Sequence, residues 1–430
     1  MGGGTLQLVI FGGQDIYLTG NPEFSYFKSV YRRHTNFSME CIKQTHNGTI
    51  SQNAFKLNYT INRSGDLLSN MYLEIDMPLQ PAAAAPQAGL DWCNYSNNTA
   101  YSYIKDIELL IGEKVIDKQD GKWLDIMNQL NHTNNSGLDY IVNNHSTHDT
   151  TIKTPKPIKL FVPLLFWFCK DVSQSLPLIA LQYHEVKINI SFRSLRNIIN
   201  MSEGVTAPTN SLKEPGIKLW GNYILLDKDE RRRFSQETHE YLIEQIQVLR
   251  KPYQNNIHIS LNHPVKSLYW VIQNNNSNKE INDYVKINHT ANTSNDVEWE
   301  NGNDYLNYDI HETVNKSYIK TIEEYEHFRE ATILFNGIER FEPQDATYFR
   351  TLQPLVSDNT FPAKHIYMYS FCLKPEEHKP TGSCNFSRID NVTFSFTGDQ
   401  SYNNYTFNLY ARNYNILRIM EGMGGLLYSN

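Results

Sequence analysis

At 430 residues the chain is too long for one ordinary hydrophobic core and long enough for two domains of about 200 residues. Its formal net charge of −7 argues against a nucleic-acid-binding surface, because phosphate binding needs concentrated positive charge. Aromatic residues make up 12% of the chain and charged residues only 20%, a mixture that favours many short, half-buried strands over helices.

The first 24 residues are predicted to form an arm. Glycines flank the apolar run 6–11 on both sides, and little else nearby could form a core. The run could also be a single strand, but an extended arm is the preferred interpretation. We expect no leader peptide, since the chain begins Met1-Gly2-Gly3-Gly4 without basic and apolar regions.

Two stretches, residues 107–130 and 331–354, share one pattern. Each opens with an apolar run of strand character, followed by a glycine turn and a second short strand. Each then passes through Gln-Asp into a segment with helical spacing. The apolar positions of that segment are Trp123, Leu124, Met127 and Leu130 in the first copy and Tyr348, Phe349 and Leu352 in the second.

Other parts of the chain repeat in the same order, which predicts a duplicated domain. The matching blocks are 34–42 with 239–247, 161–170 with 366–374, 183–192 with 389–396, and 219–226 with 409–417. We expect the second of these pairs to be aromatic strands that end in Cys169 and Cys372. Closely spaced turn signals and one helical segment per repeat indicate an all-β antiparallel sandwich, with the jelly roll as the leading candidate.

The two halves differ mainly in their loops. The first half has an insertion at 80–98, which begins with the Pro/Ala-rich loop 80–89, and a polar segment at 131–150. The second half has a longer stretch, 274–324, that is dense in Asn, Asp, Glu and Tyr. Long segments of this kind in a compact domain are usually functional or mobile.

Five cysteines, an odd number without a CxxC pair, predict neither a disulfide framework nor a zinc site. Cys169 and Cys372 are expected inside apolar strands, where a free thiol behaves as a small hydrophobic residue. The compartment of synthesis is therefore expected to be reducing.

No catalytic, cofactor or metal site is predicted. His184-Glu185 and His239-Glu240 begin like the zinc-protease motif HExxH, but isoleucine replaces the second histidine in both. Other possible metal ligands lack an apparent supporting shell or are isolated. They are His145, His148, Asp149, His258 and His263.

Several blocks of the chain resemble the major capsid proteins of large icosahedral double-stranded DNA viruses. The resemblance is strongest to those of algal viruses and of iridovirus-like relatives. The blocks extend from residue 14 to the last residue, and their combination is specific. They are residues 14–21 with 31–37, 178–187, 239–245, 384–391 and 414–430.

The resemblance implies two consecutive eight-stranded antiparallel jelly rolls with short helices and long loops. The expected division is an arm at 1–24, a first jelly roll at 25–228 and a second at 229–430. Homotrimers would form pseudo-hexagonal capsomers that tile an icosahedral shell. Their partners would be neighbouring capsomers, minor capsid proteins and the inner viral membrane side, without direct nucleic-acid binding. The protein would be made in the host cytoplasm and reside in the virion.

A second class of function stays open, because a double jelly roll can also be a glycan-binding module or a glycosidase. A glycosidase would need two carboxyl groups about 5–10 Å apart across one cleft. Sugars could also be attached to the chain itself, since the family often carries them on outward loops. The candidate acceptors in the Asn-rich insertion are Asn275, Asn288, Asn292 and Asn315.

Overall fold

In the computed structural model, the chain forms two compact units, Met1–Phe37 and Ser38–Asn430. Among the residues that the structure describes, no helix is long and apolar enough to cross a membrane. The structure describes residues 3–10, 12–78, 93–96, 98–131, 142, 158–202, 212–275, 285–287, 305–306, 308, 326–362, 364–398 and 404–428.

The N-terminal unit contains two short helices, α1 (Gly3–Val9) and α2 (Ile16–Thr19), and all its described residues are exposed. The predicted strand or extended conformation is therefore wrong at these positions. Local hydrogen bonds explain the difference: Ile10 N donates to Leu6 O at 3.0 Å. Leu and Gln are good helix formers, and no neighbouring strand is needed to satisfy a helical backbone.

The first half of the larger unit forms a jelly roll of eight main strands. One sheet has the order β1-β8-β3-β6, and the facing sheet has the order β2-β7-β4-β5. The pairings within β8-β3-β6 and within the second sheet are antiparallel. The strands are β1 (Phe37–Gln44), β2 (Phe55–Thr60), β3 (Leu67–Met77), β4 (Ile104–Ile111), β5 (Lys114–Asp120), β6 (Ile158–Pro163), β7 (Val186–Phe192) and β8 (Gly216–Leu226).

The second half repeats this topology strand for strand. Its sheets have the orders β9-β16-β11-β14 and β10-β15-β12-β13, which match the first jelly roll when each number is lowered by eight. The fold is therefore all-β, with two consecutive jelly rolls. The strands are β9 (His239–Pro252), β10 (Asn256–Ile259), β11 (Pro264–Asn274), β12 (Glu330–Phe335), β13 (Ile338–Glu339), β14 (Tyr367–Ser370), β15 (Val392–Thr397) and β16 (Tyr405–Met420).

Short elements complete the two sandwiches. Two-residue to four-residue strands extend the sheets at His46–Asn47, Leu176–Pro177, Gln344–Asp345, Cys384–Asn385 and Met423–Leu426. A separate three-stranded sheet consists of Cys93–Tyr95, Ile199–Ser202 and Val285–Ile287. The helices are α3 (Thr99–Tyr103), α4 (Gly121–Asn131), α5 (Trp167–Lys170), α6 (Lys228–Gln236) and α7 (Gln353–Val356), with a π-helical turn at Tyr348–Leu352 and 3-10 turns at Val172–Gln174, Leu195–Ile198 and Phe386–Arg388.

The duplication predicted from the sequence is confirmed at the level of topology. The hairpin-and-helix pattern corresponds to β4, β5 and α4 in the first jelly roll. In the second it corresponds to β12, β13 and a helical segment that joins the π-helical turn to α7, here called the 348–356 helix. The blocks 219–226 and 409–417 lie on the equivalent strands β8 and β16, and 34–42 and 239–247 on β1 and β9.

The prediction that the blocks 161–170 and 366–374 are strands ending in cysteine is wrong. The strands β6 and β14 end at Pro163 and Ser370, before either cysteine. Cys169 lies in α5 instead, and Cys372 follows β14 in a bend. Pro163 lacks an N–H for a β-ladder, which accounts for the early end of β6.

The two ends of the jelly rolls differ in the length of their connections. Because the strands are antiparallel, connections after the first, third, fifth and seventh strand of each roll lie at one end, called here the loop end. The four longest connections, after β3, β5, β11 and β13, all leave from it. The opposite end, the turn end, has tight turns such as residues 112–113 and 336–337. The chain enters β1 at the turn end.

The two jelly rolls stand side by side with the same ends together. At the turn end, Tyr183 N donates to Gly422 O at 2.9 Å. At the loop end, the Arg193 guanidinium lies 3.8 Å from the ring centroid of Tyr305, which belongs to the connection after β11. Buried side chains of the second roll, including Tyr410, join the hydrophobic core of the first. The two rolls therefore share a packed boundary.

Candidate assembly surfaces

Helix α4 fills the boundary between the jelly rolls. The ring of Trp123 lies 5.4 Å from that of Tyr269 and 5.8 Å from that of Tyr410, on the outward face of the sheet β9-β16-β11-β14. Met127 and Leu130 are only 2% and 0% exposed. Asp120 Oδ1 accepts a bond from Trp123 N at 2.8 Å, which explains why the helix starts directly after β5.

A buried cluster of charges lies beside α4. Glu244 contacts Lys170 at 2.7 Å, Lys266 at 2.6 Å and Arg412 at 3.1 Å. Arg412 also forms two bonds with Glu376, at 2.8 and 3.2 Å. Burial alone would raise the pKa of Glu244, but the surrounding cations outweigh burial and hold that pKa well below its usual range. The cluster therefore ties α5 of the first roll to three strands and a loop of the second.

The carboxyl groups here do not form a sugar-processing cleft. The cavity lined by Asp117, Glu244 and Arg412 has a volume of about 20 Å³, which admits one water but no sugar ring. Burial raises the pKa of Asp117 to about 6, although its oxygens accept bonds from Gln119 and from the backbone of Ile246. Such a pKa suits a general acid, but a cavity of this size leaves no room for a sugar beside Asp117.

The outward face of the sheet β1-β8-β3-β6 carries a similar set of side chains that is only partly covered. The rings of Tyr72 and Trp220 are stacked at 6.3 Å, and both residues are partly exposed. Glu74 accepts bonds from Lys159 and Lys218 at 3.0 Å and from the Trp220 indole at 2.8 Å. The bonds from the two lysines lower the pKa of Glu74 to about 2.

The 348–356 helix exposes an apolar surface. Leu352 is 46% and Leu355 71% exposed, and Val356 and Phe361 beside them are also largely exposed. Several neighbouring large apolar side chains in solvent mark an interaction site more often than an isolated one does. The π-helical turn that begins this helix is itself a feature common at functional positions.

The predicted glycan acceptors are not brought together by the described residues. Asn275 is half-buried, and its side-chain amide donates to Asn404 Oδ1 at 3.3 Å and accepts from Thr406 Oγ1 at 2.5 Å. Asn288, Asn292 and Asn315 lie outside the described residues.

The possible metal ligands give no site within the described part of the chain. No group of three or more His, Cys, Asp or Glu side chains there could hold a metal ion. His258 is exposed and His263 buried, and neither takes part in such a group. His145, His148 and Asp149 lie outside the described residues.

Comparison with known proteins identifies the family. A model of the major capsid protein N-terminus matches residues 25–227, and a model of the large eukaryotic DNA virus major capsid protein matches residues 230–425. The major capsid protein of Pyramimonas orientalis virus is 39% identical over the full length of both chains. The chain belongs to this family. It is a structural capsid protein of the virion rather than an enzyme.

Two further comparisons agree with the fold of this capsid protein. The major capsid protein of Paramecium bursaria Chlorella virus 1 is 34% identical over the full length of both chains. A chain from a quasi-atomic model of the PBCV-1 virus capsid superimposes with a TM-score of 0.77 at 30% identity, covering 94% of this chain and all of that one.

Sequence reasoning missed both outward surfaces. It places Met127 and Leu352 in the same helical pattern, but Met127 is 2% and Leu352 46% exposed. Tyr72 and Trp220 were not singled out as a pair, because their contact depends on the register of β3 with β8. The sequence signal for this surface is the alignment of the repeats, in which Trp220 and Tyr410 hold the same position.

Proposed function

We propose that three copies of this capsid protein form a homotrimer of pseudo-hexagonal outline, and that these capsomers tile an icosahedral shell. The observation that carries the proposal is the repeated topology, with both jelly rolls side by side and equal ends together. Each chain thus supplies two similar jelly rolls, so three copies supply the six that a capsomer of hexagonal outline needs. Membership of the capsid family supports the same assembly.

The polarity of the chain suggests which end faces outward. The four longest connections leave from the loop end, whereas the chain enters β1 at the turn end. We assign the loop end to the outer surface and residues 1–24 to an arm beneath the capsomer. There the arm would meet minor capsid proteins or the side facing the inner membrane, and neighbouring capsomers would pack laterally. The division into jelly rolls at 25–228 and 229–430 belongs to the same proposal.

The test is the mass and outline of the purified protein. Light scattering after gel filtration should give three times the 49.9 kDa of one chain. Negative-stain images should show particles of hexagonal outline. A stable trimer of this size should bury well over about 2,000 Å² in total, so it should persist on dilution to low micromolar concentration. A monomer under these conditions would contradict the proposal.

A further inference from the structure

The two jelly rolls of one chain bury equivalent surfaces unequally. In the first roll, Trp123, Met127 and Leu130 of α4 are buried against the second roll. When the two copies are aligned on the Gln-Asp pairs at 119–120 and 344–345, their counterparts are Tyr348, Leu352 and Leu355. Tyr348 is half-buried, and Leu352 and Leu355 are exposed. The second roll therefore has the same docking helix without the same cover.

The surfaces that receive these helices are also unequal. Inside the chain, α4 docks on Tyr269 and Tyr410, which pair across β11 and β16 and are fully buried. Tyr72 and Trp220 pair in the same way across β3 and β8 and stay partly exposed. Trp220 and Tyr410 also occupy the same position of the repeated blocks 219–226 and 409–417.

We propose that the 348–356 helix of one copy docks on the Tyr72–Trp220 face of the next copy, repeating between chains the contact that α4 makes within the chain. The inference rests on the proposed trimer and specifies its interface. The 348–356 helix and the Tyr72–Trp220 face are different surfaces of the same chain. Their contact is therefore head-to-tail, and a three-fold rotation closes it into a ring.

The receiving face can be covered without leaving a charge unpaired. Glu74 already has Lys159 and Lys218 at 3.0 Å, and its second oxygen accepts from Trp220. The buried cluster around Glu244 shows the same arrangement under α4. Burying an ion pair costs much less when both partners stay hydrogen-bonded. The apolar side chains Leu352 and Leu355 then supply the gain from burial.

A charge at the centre of the exposed helix tests the interface. Leu355→Asp should convert the trimer to a monomer at low micromolar concentration, a loss of at least tenfold in association. The matched control is Val172→Asp, which places the same charge at an exposed apolar position of the first roll and should remain trimeric. Circular dichroism and the thermal transition should show both variants folded, since each side chain is more than half exposed.

Cross-linking provides a second test that needs no loss of assembly. Cys41 is exposed on the receiving face, with its Sγ 3.5 Å from the Tyr72 hydroxyl. In the repeated blocks Cys41 corresponds to Ile246, and Leu352 corresponds to Met127. Within the chain, Ile246 and Met127 line the same small cavity. Leu352→Cys should therefore be joined to Cys41 of a neighbouring copy by a short bis-maleimide.

The expected products are covalent dimers and trimers, and nothing larger, in denaturing gels. They should be absent from the wild type, from Val172→Cys and from the double variant Leu352→Cys/Cys41→Ser. A wild-type trimer that stays trimeric with Leu355→Asp and forms no such product would overturn this interface while leaving the trimer in place. A monomeric wild type would instead overturn the proposed trimer itself.

Discussion

Trp123 lies against Tyr410 across the boundary between the jelly rolls, with ring centroids 5.8 Å apart and planes inclined by 28°. Trp123 lies in the first turn of α4 of the first roll, and Tyr410 lies on β16, an inner strand of the second. Tyr410 also donates its hydroxyl to Asp120 at 2.9 Å, so the same contact is apolar on one side and polar on the other. The two rolls should therefore move and unfold as one body.

Replacing Trp123 by alanine should destabilise the whole larger unit. The side chain is 1% exposed, and its removal leaves a cavity between the rolls. Losses of about 3–5 kcal/mol in the free energy of unfolding are typical of buried Trp→Ala changes. Urea unfolding at one fixed protein concentration measures the effect. Leu373→Ala, at a side chain that is 78% exposed and lies in neither proposed interface surface, is the control and should cost less; equal costs would contradict a special role for the boundary.

Acid should weaken the boundary through Glu376. Arg412 outweighs the effect of burial and lowers the pKa of Glu376 to about 2 from an ordinary 4.5. A lowered pKa in the folded state contributes stability in full above about pH 4.5, which is lost as the pH falls towards 2. Thermal transitions between pH 7 and pH 3 should therefore fall less steeply in Glu376→Gln than in the wild type. That variant should also be less stable at pH 7, by roughly 3 kcal/mol, because Arg412 loses a partner.

The framework was predictable from the sequence because it is encoded locally and twice. Strand alternation, turn glycines and the Gln-Asp entry to each helix all follow from neighbouring residues, and the repeat at Trp123 and Tyr348 gave an independent check. The Glu244–Arg412 cluster was not predictable, because its members are far apart in sequence and meet only through strand register. The exposure of Leu355 was also not predictable from the sequence, since helical spacing does not reveal whether a helix face is covered.

Denatured protein should contain close to five free thiols per chain. Cys41, Cys169, Cys372 and Cys384, the cysteines whose side chains the structure describes, are all free. In the native protein Cys169 should react slowly, because burial raises the pKa of its thiol to about 12. Titration with a chromogenic disulfide, with and without denaturant, measures both quantities. Two or fewer thiols in denaturant would contradict the expected reducing compartment.

If the long insertion carries sugars, they should be attached to Asn288, Asn292 or Asn315 in preference to Asn275. The Asn275 side-chain nitrogen already donates to Asn404, and the residue is half-buried, so an attached glycan would break a formed contact. Intact mass of virion-derived protein followed by peptide mapping tests this order. A mass equal to the bare 49.9 kDa chain would exclude glycans altogether, and a glycan mapped to Asn275 would contradict the predicted order.

Deleting residues 2–20 should leave the jelly rolls intact and weaken shell assembly. None of the described residues in this segment is buried, although Leu8, Tyr17 and Leu18 are large and apolar. Their removal costs the fold no core contact, so the thermal transition and the trimer should be unchanged. Large apolar side chains left in solvent mark a surface that a partner covers, so assembly into shells should suffer. Calorimetry, light scattering and electron microscopy of wild type and truncation separate these effects; loss of the cooperative transition would mean that the segment belongs to the core.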